Sequence, residues 1–110
     1  MIEEEEMIEF SVRLLLSGRC EARNLVLPLV LRWPNARVQE LVYVMAVTAG
    51  TVEHMLADPE ISRVAQDVWR VAGLVSVDIY IAKLLGLPFE TAADLTAYWQ
   101  RYDRFFLDPS

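Results

Sequence analysis

The sequence predicts an all-α single domain, a bundle of four to five helices built round a long antiparallel central hairpin. Three observations carry this. Apolar residues recur at steps of three and four through most of the chain after residue 38. The breaks between periodic stretches hold helix-starting and helix-stopping residues. Only one stretch, near the N-terminus, has the period of a strand. At 110 residues, a single domain over 1–110 is long enough to bury its own core without disulfides or metal.

The first third is open to two readings. Residues 1–6 are an acidic N-terminal tail, with Glu3–Glu6 in one run. Acids ahead of apolar residues and Gly18 suit a helix with its negative charges at the positive end. Yet Ile8, Phe10, Val12 and Leu14 alternate with Glu9, Ser11 and Arg13, the pattern of a half-buried strand. Helix is preferred, because no second clear strand exists to pair with it. Leu25–Leu31 is apolar, but Pro28 kinks a helix there or confines a strand to an edge. Trp33-Pro34 closes that segment.

The rest reads as helices. Asn35 is placed to cap a segment running to about Ala57, whose core stripe is Val38, Leu41, Met45, Thr48, Val52 and Met55. Asp58-Pro59-Glu60 then combines an N-cap, a first-turn proline and a first-turn acid. The next helix runs from Pro59 to about Leu85 on Ile61, Val64, Val68, Ala72, Val75, Ile79 and Ala82. Gly86 suits a left-handed C-terminal cap, and Pro88 prevents continuation. The short Asp58-Pro59 corner makes Val38–Leu56 and Pro59–Leu85 neighbours. A last helix starts at Thr91, with Asp94 completing a capping box, and Leu95, Tyr98, Trp99, Tyr102, Phe105 and Phe106 follow at helical spacing.

Composition sets an apolar surplus against chemical poverty. The chain is 55% hydrophobic with mean hydropathy +0.27, above the usual apolar share. It holds one His, one Cys and one Lys. The surplus belongs to a large core or to an interface. A net charge of −6 argues against a nucleic-acid partner, which needs cations on one face. A lone cysteine makes no intramolecular disulfide, so a cytoplasmic location is expected. No apolar run reaches the length of a membrane span, so no membrane association is expected.

His54 lies about 180° round its helix from the buried Met45, at 100° per residue. Tyr43, Val47 and Gly50 share that outer face, and Gly50 leaves room for a partner to approach. An outward histidine on an acidic helical protein resembles histidine phosphotransfer domains. His54 and Leu56 match the His-x-Leu part of that family's motif. Ala57-Asp58 stand where the family has Lys-Gly, and Asp58 would repel a phosphoryl group. The resemblance implies phosphotransfer through His54.

No other chemistry assembles. A zinc site lacks a second His and a Cys pair, so no metal or cofactor is expected. Nothing brings Cys20 to His54 as a nucleophile and its base. The four glycines do not form a phosphate loop. The chain is therefore read as non-enzymatic. Asp78, inside an apolar stretch, needs a hydrogen-bond or ion-pair partner, an Arg, Tyr or Trp of a neighbouring helix.

Ala82-Lys-Leu-Leu-Gly86-Leu87, followed by Ala92 and Leu95, resembles a helix-turn-helix over 81–99 and implies a DNA-reading second helix. Glu90 and Asp94 stand at its start, where phosphate would be repelled. Tyr98, Trp99, Tyr102, Phe105 and Phe106 place five aromatics in nine residues, more than one helix face can carry. They either close the core or form an interface, where aromatics are enriched. The expected function is self-association, as a homodimer, together with binding of another protein.

Overall fold

The computed structural model describes residues 3–18, 20–55 and 59–108. Five helices follow in order: α1 (Glu3–Leu16), α2 (Ala22–Arg32), α3 (Val38–Met55), α4 (Pro59–Leu84) and α5 (Ala92–Tyr102). The all-α expectation holds. Among the described residues the only β-type pairing is an isolated bridge between Arg37 and Thr91. The Asp58 cap falls outside the described residues.

The first third is helical, and Glu3–Glu6 are the first turn of α1 rather than a tail. The alternating Ile8, Phe10, Val12 and Leu14 are half-buried flanks of this helix. Its core contacts are Met7, Ser11 and Leu15, four residues apart. Ser11 sits in the core because its hydroxyl donates to the Met7 carbonyl at 2.8 Å, which satisfies it within the helix. Gly18 follows with φ +74°, the left-handed conformation that ends helices. Helix α2 runs through Pro28 and stops at Arg32, before Trp33-Pro34.

Helix α3 begins at Val38, so Asn35 is not its cap. The backbone ahead of it is used by the start of α5 instead. The Val38 amide donates to Glu90 O at 2.9 Å, the Ala92 amide to Ala36 O at 2.8 Å and the Ala93 amide to Pro34 O at 2.9 Å. Two helix starts, which would leave orphan amides, are thus stapled together. Thr91 and Asp94 form the expected capping box. At the other end of α4, Gly86 has φ +73°. Its amide donates to Lys83 O and the Leu87 amide to Ala82 O, the paired bonds of a Schellman cap.

Helices α3 and α4 share the most extensive contact, the expected central hairpin. Helix α1 lies on α3, and α2 lies against α1 and α4. Helix α5 packs chiefly on α2 and α4. The body measures 43 × 31 × 20 Å, and 20 Å is about two helix diameters. One continuous core threads between the layers, with Leu25, Leu29, Leu41, Met45, Val68, Val75, Leu95 and Trp99 fully buried.

Thr48 is the flaw in that core. Its hydroxyl is buried and has no hydrogen-bond partner among the described residues. Thr48→Val exchanges an unsatisfied hydroxyl for a methyl of like shape, so it should raise unfolding stability by about 1 kcal/mol. Urea denaturation of both forms measures this; a loss of stability would mean that the hydroxyl has a partner.

Candidate interaction surface

Three of the five C-terminal aromatics are core and not interface. Helix α5 ends at Tyr102, so Phe105 and Phe106 lie beyond it, in a turn that returns to the body. Trp99 is completely buried, and Tyr98 and Phe106 nearly so. The Trp99 and Phe106 rings stand 4.9 Å apart. The return turn lets aromatics from two adjacent pairs reach the same core. Arg23 of α2 straps it down: Nε and Nη2 donate to Phe105 O at 3.0 and 2.8 Å, and Nη2 also to Asp108 O at 3.2 Å. The same guanidinium lies 4.0 Å from the Phe105 ring centre. Tyr102 and Phe105 keep part of their surface exposed.

Asp78 has the partner its position demands. Trp99 Nε1 donates to Asp78 Oδ2 at 2.8 Å, linking α5 to α4 inside the core. Burial pushes the carboxyl above its ordinary value of 3.8; the indole hydrogen bond opposes this, and Asp103 adds to it. Burial, then Asp78 and the nearby Asp103 and Tyr102, also push the Tyr98 hydroxyl above its ordinary range. The pair satisfies two buried polar groups with each other and sets how α5 seats.

The outer face of α3 is as expected only in part. Tyr43 and His54 are exposed, whereas Val47 and Gly50 are half-buried. Among the described residues, no hydrogen bond or ion pair engages the His54 ring, and no group of metal-capable side chains forms. Burial, with the charge of Glu21, raises the pKa of the Cys20 thiol, which disfavours the nucleophilic thiolate. A cleft of about 750 Å³ opens beside Cys20, Arg23 and Arg70. Its cations are engaged: Arg23 on the return turn, and Arg70 with Asp67 at 3.6 Å. In the helix-turn-helix region, the first amides of α5 are lodged against residues 34–36, where a reading helix presents its start to a groove.

The surface missed in the sequence is the outer side of α4. Its buried residues Ala65, Val68, Ala72, Val75 and Ala82 face α3 and the core. At 100° per residue, Trp69, Gly73, Val77, Tyr80 and Leu84 fall on a side about 130° away. Trp69, Val77, Tyr80 and Leu84 are between 46% and 67% exposed. They form one strip about 22 Å long at 1.5 Å per residue. A helix apolar all round is normally covered all round, and that was the available signal. From Trp69 to Leu84 the strongly polar residues are Arg70, Ser76, Asp78 and Lys83, too few for a solvated face. Among the described residues, no helix is long and apolar enough to cross a membrane.

Comparison with protein-family models, with curated proteins and with solved structures finds no match to this chain.

The Asp78–Trp99 pair yields a signed prediction. Because the folded-state pKa is raised, this group's contribution to stability is fullest below 3.8 and is lost as pH rises through the raised value. Asp78→Asn keeps an acceptor for the indole and removes the charge. It should be at least as stable as the parent at neutral pH, with a flatter pH dependence above 3.8. Asp78→Ala orphans the indole N–H and should lose about 2 kcal/mol. Equal losses in both variants, measured by urea unfolding across pH, would contradict this.

Proposed function

We propose that this chain is a non-enzymatic, cytosolic protein that acts through self-association and binding of another protein. The observation that carries the reading is the uncovered apolar strip on α4. Trp and Tyr side chains span about 150–250 Å² each. Half-exposed, and with Val77 and Leu84 added, they put on the order of 400 Å² of apolar surface in one place, the size at which a patch marks an interaction site. The chemistry of the chain points the same way. Burial raises the pKa of its one thiol, and its one histidine stands at a helix end without a hydrogen-bonded base or acid among the described residues. Its acidic surface disfavours nucleic acid.

Light scattering on a dilution series tests the reading. The mass should exceed 12.6 kDa at high concentration and fall toward it on dilution. Tyr80→Lys places a charge in the middle of the strip and should shift the species to monomer. Its melting temperature should stay within a few degrees of the parent, because surface substitutions cost little. A parent that is monomeric at every concentration would refute self-association.

A further inference from the structure

The geometry points to one occupant for the α4 strip: the same strip of a second copy, packed antiparallel about a two-fold axis between Ser76 and Val77. This rests on the self-association reading above and deepens it. The first observation is Gly73. It sits in the interior of a regular helix, where glycine is unfavourable relative to alanine. A Cβ built there meets nothing within 4 Å among the described residues, so none of them requires a bare backbone at this position. What the missing side chain provides is a notch on the exposed side, between Trp69 and Val77.

The second observation is the order of sizes along the strip. Antiparallel pairing about Ser76–Val77 sets each residue against the one equally far on the other side. Gly73 then faces Tyr80 of the partner subunit, and Trp69 faces Leu84 of the partner subunit. The largest exposed ring of the strip's second half thus meets the only residue without a side chain, twice, by symmetry. Parallel pairing would set ring against ring at Tyr80 and leave a void at Gly73, against the need for close packing. The antiparallel arrangement also opposes the helix dipoles favourably.

The area suits a dimer and little more. About 400 Å² of apolar surface, with the flanks of Arg70, Ser76 and Lys83, approaches the roughly 600 Å² per partner at the lower edge of stable interfaces. The dimer should therefore dissociate on dilution.

Cross-linking tests both face and register, in a Cys20→Ser background. Val77→Cys lies beside the proposed axis and should form an intermolecular disulfide on mild oxidation. Ser62→Cys is on the same side of α4 but lies about 40 Å from its counterpart in the antiparallel pair, so it should not. Gly73→Arg fills the notch and should weaken association at least tenfold. It should leave the monomer's helicity intact and its melting point unchanged or slightly raised, because glycine is the poorer helix former. Cross-linking by both cysteine variants would overturn the antiparallel register. A parent dimer that resists Gly73→Arg and does not cross-link through Val77→Cys would overturn this face while leaving self-association standing. A parent that is monomeric at about 100 μM would overturn both.

Discussion

Helix α4 carries more apolar surface than the other four helices can cover. It has 26 residues against 18 in its hairpin partner α3, and from Trp69 onward it is apolar on two sides. The body is two helix layers thick in its thinnest direction, so a helix in one layer meets neighbours on one side only. The core takes Val68, Ala72, Val75 and Ala82, whereas Trp69, Val77 and Tyr80 on the far side stay about half exposed. The apolar excess in the composition therefore has a definite place.

The seating of α5 decides why that place is α4 and not the C-terminal aromatics. Three backbone hydrogen bonds hold the start of α5 against residues 34–38. The Trp99–Asp78 bond holds its middle against α4. With both ends of that geometry set, Trp99, Tyr98 and Phe106 have only the core to enter, and Arg23 secures the turn that brings Phe106 back. A cluster that reads as surplus along a single helix is thus absorbed, because the chain leaves the helix after Tyr102.

Local signals were legible and long-range ones were not. The Thr91–Asp94 box and the Gly86 cap each depend on a few adjacent residues, and both were evident. The hairpin followed from periodicity and a short corner. The start of α3 was misplaced at Asn35 because its first amide, that of Val38, is engaged by Glu90, more than fifty positions away. The first third was ambiguous because α1 buries residues four apart while its half-buried flanks happen to alternate. The partner class of Asp78 followed from the cost of burying a carboxylate, whereas the choice of Trp99 required the fold. The α4 strip went unread in the sequence, although residues 69–84 include few polar ones. Its meaning depends on knowing which side of the helix the core occupies.

The proposal of self-association rests on the exposed apolar strip of α4. Small-angle scattering across concentration tests this most directly. The single chain has a radius of gyration of 13.5 Å. A compact body of twice its length has about 17 Å. The account predicts about 17 Å at high concentration, falling toward the monomer value on dilution. A radius that stays at the monomer value throughout would contradict it.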